Sequence, residues 1–427
     1  MKVVGHKRGR VALVCAAALA VLATYVSVAS GAPGNATQKR DSSTITFLVP
    51  EYSTKTVPYW KDTIAAFEKA NPGLHVTLQS MGWQQAHDST AQMIAANQLP
   101  DLVNTATIWL PEWVQANAIL PVTTDIVPAA VQSRFVPALF QKSALYKGKN
   151  YGLPIAAAAR GMFYNKTLFK KAGISKPPAT WNELLSDAVK IKKKTGAFGY
   201  AFDGKGVQAF RYFGFFLWNN RGQFFTSKGK AAFNSPEGVQ ALSFLIKLTK
   251  TGAVPNPSGV AAEDIEPLFL AGRVGMWIDG NYFATQIASK GQGLQYGVSP
   301  VPVSRTGVPS VTWGVSDTLV IGKNANIPVV NKFISFIYQP SYRTTFDVNE
   351  GFLPLLAAQQ SLPEFSDPAT AAFIKLLPQS RFDPLNPNYS KMQTLVTTAM
   401  QKALTGKATP KAALDQAAAA FNKLAGK

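Results

Sequence analysis

The chain has 427 residues, 47% of them hydrophobic and 11% aromatic, with a mean hydropathy of +0.02. That composition is globular, long enough for two or three domains, and it excludes a disordered or fibrous chain. Charged residues are sparse at 15% but unbalanced, 43 basic against 23 acidic, for a formal net charge of +20. The basic residues are dispersed, and no basic patch with aromatic or motif support marks a nucleic-acid binder.

The first ten residues carry Lys2, Lys7, Arg8 and Arg10 and no acid. An apolar run from Val11 to Ala29 follows, and Ser30 and Ala32 then stand at a small-residue spacing. This is the pattern of an export signal over 1–32, with 33–43 as a polar tether. An uncleaved membrane anchor competes with it, because the run is nearly long enough to span a bilayer. Cys15, the one cysteine, sits early in that run behind Val14. A lipid-anchor signal wants a small residue there and a later position, so no lipid is expected. The exported remainder has no cysteine, hence no disulfide and no thiol chemistry. Its net charge is +16 once the four basic residues of the leader are gone. The location implied is extracellular or periplasmic, with retention at an anionic surface through that charge or through the uncleaved anchor. The low acid content also fits an acidic exterior, since protonating few carboxylates costs little stability.

Thr44–Pro50, "TITFLVP", alternates and is β-branched, as a first strand. The next segment places Trp60, Ile64 and Phe67 on one helical face and stops at Asn71-Pro72-Gly73. "LHVTLQSM" reads as a second strand, "AHDSTAQMIAANQ" as a second helix and "DLVNT" as a third strand. That βαβαβ order predicts a parallel sheet with helices on both faces, and ligands in such sheets sit beyond the carboxyl ends of the strands. Those ends are Glu51-Tyr52, Gly82-Trp83 and Thr105 to Trp109. Further on, Thr180 and Glu183 form a capping box, while Ser235-Pro236 and Thr409-Pro410 open later helices. The lysines of "KIKKK", Lys190 to Lys194, suit a helix C-terminus. Strand candidates are "GMFYN", "AFGYAF", "VGMWI", "YGVSPVPV" and "DTLVIG". Strands and helices keep alternating without a short repeat, as in two α/β lobes.

Taken in order, these segments resemble the extracellular solute-binding proteins of carbohydrate ABC importers, the maltodextrin- and multiple-sugar-binding group. The likeness is carried by "AAFEKANPGLHVTLQSMGWQQAHDSTAQMIAANQLPDLVNT", by "YKGKNYGLPIAAAARGMFYNKTLFKKAGISKPPATWNELL", by "FLAGRVGMWIDGNYF" and by the C-terminal "PNYSKMQTLVTTAMQKALTGKATPKAALDQAAAAFNKL". It implies a two-lobed, periplasmic-binding-protein-like clam with hinge-linked α/β lobes. The first lobe takes 44–156 and 312–365, and the second takes 157–311 and 366–427. It also implies capture of a sugar or oligosaccharide in the cleft by a monomer, closure driven by contacts made only in the closed state, and delivery to membrane permease subunits.

Side-chain amides and carboxylates suit sugar hydroxyls, and rings suit sugar faces. The resemblance puts Trp109, with Thr107 nearby, in a cleft loop; Trp83, Glu51 and Tyr52 are candidates from their place at the strand ends, where open sheets bind ligands. Trp113, four residues after Trp109, is expected in the core. Asp279, Asn281 and Tyr282 match the family's turn and aromatic. Trp313-Gly314 matches a cleft loop at the return crossing, and Trp218-Asn219 a helix-end loop. Arg160 either bonds sugar hydroxyls or braces the hinge. Glu350 lies at a turn beside the cleft or at a solvated helix end. The sequence departs from the maltodextrin pattern in two places: the loop Thr105 to Trp109 carries no charge, and Ala156 to Ala159 is bare alanine.

Catalytic signatures are missing. His75 and His87 are the only histidines of the exported chain, which leaves no His-rich metal site, so neither metal nor cofactor is expected. No G-x-S-x-G elbow occurs. "GYAFDGKG" approaches a phosphate loop, but Gly206 replaces the Ser/Thr that would hold magnesium, which leaves a glycine turn. The reading is therefore a non-catalytic binder. Two rivals stay open: a binder of a phosphorylated polyol such as glycerol phosphate on the same fold, and a secreted polysaccharide hydrolase, whose paired carboxylates are set by spatial distance and not by sequence spacing.

Overall fold

The computed structural model describes residues 42–425 except 207 and 292. The export signal and most of the tether therefore lie outside the described residues. Eleven strands are described: β1 Thr44–Pro50, β2 His75–Met81, β3 Leu102–Ala106, β4 Leu145–Tyr146, β5 Lys149–Asn150, β6 Leu153–Asn165, β7 Phe198–Ala201, β8 Val274–Gly280, β9 Tyr296–Ser299, β10 Thr312–Ile321 and β11 Ser380–Arg381. Nine of them form one sheet in the order β2-β1-β3-β10-β6-β8-β7, with β9 on β6 and β11 on β10, while β4 and β5 pair separately.

The first three strands are parallel, as the βαβαβ pattern demands. The return strand is not. β10 runs antiparallel to both β3 and β6, so the sheet is mixed. β6 changes neighbours along its length: Leu153 to Ala159 pair with β10, and Arg160 to Tyr164 pair with β8. This one strand therefore belongs to both ends of the sheet. Its alanines, Ala156 to Ala159, lie in mid-strand, paired with Asp317 to Gly314 of β10. β9 stops at Ser299, short of the run "YGVSPVPV", because Pro300 and Pro302 have no N–H to give a ladder.

Burial follows the helical period. Trp60 and Phe67 are fully buried on the helix Thr56–Ala70, and Trp60 meets Phe47 of β1 edge to face at 4.8 Å. The capping box is formed: Glu183 N–H donates to Thr180 Oγ1 at 3.3 Å, and Thr180 N–H to Glu183 Oε2 at 2.9 Å. The backbone N–H groups of Ala179 and Thr180, both donating to Glu183 Oε2, hold its carboxyl below its ordinary range. Gly199 lets β7 lie against the helix Trp181–Thr195, since a Cβ there would fall 2.1 Å from the Ala188 carbonyl oxygen. Asp203 Oδ1 accepts from Lys205 and Gly206 N–H at 2.9 and 2.6 Å, so the phosphate-loop look-alike is a turn closed on its own aspartate. None of the described helices is long and apolar enough to cross a membrane.

Candidate ligand-binding site

At the carboxyl ends of β1 to β3 the chain builds a file of rings. Tyr52 meets Phe352 at 4.9 Å and Trp83 at 5.3 Å, Trp83 meets Trp109 at 5.9 Å, and Trp109 meets Trp113 at 6.3 Å. His87 adds its ring to Trp109 at 4.5 Å. Trp113 is buried, with 2% of its surface exposed, as expected of a core residue. Trp83 and Trp109 are half-buried. Each keeps part of its ring surface exposed, which a stacking platform needs. The helix carrying Trp83 begins at that residue, three positions before the expected Ala86, so the indole sits on a rigid first turn.

Beside the rings lies a polar cluster. The single proton of the Tyr52 hydroxyl goes to Asp317 Oδ2 at 3.0 Å, and the oxygen accepts from Asn104 Nδ2 at 3.1 Å. Asp317 enters through an irregularity in the β10–β6 ladder: Asp317 pairs with Ala156 but Thr318 pairs with Pro154, skipping Ile155. Such bulges re-aim side chains. Burial pushes the Asp317 carboxyl up from its ordinary 3.8 to about 7 against the pull of the Tyr52 bond. Neither Asn104 nor Asp317 stood out among the candidates. The available signal was a polar residue at the edge of a short apolar run, Asn104 after Leu102-Val103 and Asp317 before Leu319 to Ile321.

At the β8 end, Tyr282 is 44% exposed and its hydroxyl donates to Asp279 Oδ1 at 2.6 Å. Asp279 is buried, which raises its carboxyl, while the nearby Arg160 charge and the Tyr282 bond pull it back. The Arg160 guanidinium lies 5.3 Å from the Tyr282 ring centre. Gly280 makes room for both, for a Cβ there would come within 2.3 Å of Tyr282 Cε1 and 2.7 Å of Arg160 Nη1.

Several expected ligand contacts are buried or already bonded within the protein. Trp218 and Trp313 are buried and stack on each other at 4.2 Å, so they form core and not cleft surface. Asn219 is fully buried and its amide is spent on backbone: Nδ2 donates to Phe215 and Val311 oxygens, and Oδ1 accepts from Val311 N–H. Asn281 is likewise committed, accepting from Ala159 N–H at 3.2 Å and donating to the Gly351 oxygen at 3.0 Å. Thr107 donates to the Ser316 oxygen. Gly314 is buried under Phe382 and Ser380, and a Cβ would sit 2.7 Å from Phe382 Cε1. Glu350 accepts from Thr56 Oγ1 at 2.6 Å, which ties a helix end to a helix start. Glu51 is exposed, with only a long contact of 3.4 Å to Ser80 Oγ. That leaves Tyr52, Trp83, Trp109, Arg160 and Tyr282 with open surface, joined by Asp317, while Asn104 and Asp279 lie buried behind Tyr52 and Tyr282 as their hydrogen-bond partners.

A cavity of about 560 Å³ lies elsewhere, at the start of β7, lined by Lys171, Lys192 and Arg273 among others.

A mixed sheet shared by two α/β ends, with rings and polar groups where strands terminate, is the architecture of two-lobed solute-binding proteins. The chain belongs to the bacterial extracellular solute-binding protein family, whose model matches residues 52–344. It is 34% identical over 383 residues to a binding protein of Brucella abortus (strain 2308), covering 89% of this chain and 92% of that one. It is 25% identical over 413 residues to the sn-glycerol-3-phosphate-binding periplasmic protein UgpB of Escherichia coli (strain K12), covering 86% and 92%. Among solved structures, the cyclic alpha-maltosyl-1,6-maltose binding protein from Arthrobacter globiformis superposes with a TM-score of 0.77 at 21% identity, over 89% of this chain and 98% of that one. An ABC transporter solute-binding protein from Thermotoga lettingae, bound with alpha-D-tagatose, gives 0.70 at 25%, over 89% and 99%.

Proposed function

We propose that this chain is the carbohydrate-capturing subunit of an ABC importer, a monomer that holds a sugar or oligosaccharide between its lobes and hands it to permease subunits in the membrane. The lobes comprise 44–156 with 312–365 and 157–311 with 366–427. The observation that carries the reading is the pairing of half-exposed rings, Trp83 and Trp109, with the Tyr52–Asn104–Asp317 cluster. Rings take the C–H faces of a sugar, while an amide and a carboxylate take its hydroxyls. The tagatose carried by the Thermotoga lettingae protein supports the same ligand class. Binding occurs without turnover, at the cell exterior.

Calorimetry against neutral and acidic mono- and oligosaccharides, with product analysis of the same mixtures, tests this. Saturable binding and unchanged sugars are expected. Hydrolysis products would favour the secreted hydrolase, and no binding by any sugar would end the carbohydrate reading.

A further inference from the structure

Three arginines stand around the start of β10. Arg160 follows Ala159, the β6 partner of Gly314. Arg381 of β11 pairs with Trp313. The Arg211 guanidinium lies 5.1 Å from the Trp313 ring centre. Each has a buried nitrogen without a hydrogen-bond partner: Nη1 of Arg160, Nε of Arg211 and Nη1 of Arg381. Buried donors are nearly always paired, because an unpaired one forfeits its hydration, and more so when charged.

The nearby carboxylates do not meet the need. Asp383 is engaged by Arg211 at 3.3 Å, by Trp313 Nε1 at 3.2 Å and by the Tyr389 hydroxyl. Asp279 is engaged by the Tyr282 hydroxyl. Among the described residues, Arg160 and Arg381 are in no ion pair. Burial without a close acid pushes the Arg381 group down from its ordinary value. Arg160 is the best placed to meet a ligand, since it stands beside the 44%-exposed Tyr282 ring. A guanidinium fork fits a planar or tetrahedral oxyanion in a way no neutral hydroxyl matches.

We propose that the ligand carries an acidic group, a carboxylate or a phosphate, and that Arg160, with Arg211 behind it, receives that group beside Tyr282. This rests on the carbohydrate reading and narrows it to acidic sugars or polyols. The neutral part of the ligand then faces the rings and the Asn104–Asp317 cluster.

The test is calorimetry with matched probes: glucose against glucuronate and glucose 1-phosphate, maltose against maltobionate, and glycerol against glycerol 3-phosphate. At least one acidic probe is expected to bind about tenfold or more tighter than its neutral partner, the scale of one charge-assisted hydrogen bond. Carboxylate and phosphate arms tell the two acids apart. Added salt is expected to shrink the preference. Arg160→Gln is expected to abolish it, and Arg160→Lys, which keeps the charge but loses the fork, to keep part of it. Should either variant fail to fold, the salt response of the unaltered protein decides. Neutral probes binding as well as or better than acidic ones would overturn the acidic-group inference and leave the carbohydrate reading intact. Failure of all probes would overturn both. A preference untouched in Arg160→Gln would remove Arg160 from the role.

Discussion

The Tyr52 hydroxyl donates to Asp317 across 3.0 Å, and 265 residues of chain separate the two. The bond makes the Asp317 carboxyl less costly but does not cancel its burial, and the group titrates near 7. The sign follows. In the unfolded chain the carboxyl ionises at 3.8, so between that value and about 7 the fold binds the extra proton. Stability from this group is therefore full below pH 4 and falls as pH rises through 7. Asp317→Asn is expected to melt higher than the parent at pH 8, with the gap closing by pH 4. A gap that widens on acidification would contradict it.

The tryptophans near β3 should separate by role. Trp109→Ala and Tyr282→Ala are expected to keep their melting midpoint and lose about 1–3 kcal/mol of ligand affinity, as for truncated stacking anchors. Trp113→Ala should lose about 3–5 kcal/mol of stability, because it empties a core position. Denaturant melts and calorimetry on the same three variants check this.

Arg343 and Asp347 form a buried pair at 2.5 Å, with 1% and 0% of their side chains exposed. Gln359 Nε2 donates to the second Asp347 oxygen at 3.1 Å. Removing the cation alone leaves an uncompensated charge, so Arg343→Leu is expected to cost about 3–5 kcal/mol. The double replacement Arg343→Leu/Asp347→Leu should recover much of that loss. Urea unfolding of the single and double variants measures the difference.

Asn281 joins β8 to the Gly351 carbonyl and to Ala159 of the shared strand. Asn281→Ala strands one donor and one acceptor, and about 1–3 kcal/mol of stability should go with them. Asn281→Asp keeps the acceptor for Ala159 N–H and is expected to fall between. Thermal melts at neutral pH order the three proteins.

What could be read from the residues was local. β1, the face of Trp60 and Phe67, and the Thr180–Glu183 box depend on neighbours within a few positions, and they form where the pattern placed them. The start of β10 at Thr312 could not be read so, because β3, β6 and β11 supply its partners from distant parts of the chain. The same limit governs the site. Trp109 and Trp218 look alike in sequence, each beside small polar residues. Only packing decides that one keeps a face half-open while the other lies against Trp313. Asn281 resembled a ligand contact because an amide reads the same whether it meets a sugar or a backbone carbonyl. Asp317 looked like the polar start of a strand, and its value comes from Tyr52, whose approach no local pattern encodes.

The ladder between β3 and β10 pairs Leu102 with Ile321 and Ala106 with Asp317. A chain growing from its N-terminus therefore makes β1, β2 and β3 long before it makes the strand that closes them. Contacts over about two hundred residues are slow to form, because the loop between them must be closed first. Until Thr312–Ile321 is synthesised, the β3 edge stays without its neighbour and the N-terminal segment cannot complete its sheet. The late arrival of β10 sets the point at which β3 gains its second neighbour and is joined to β6.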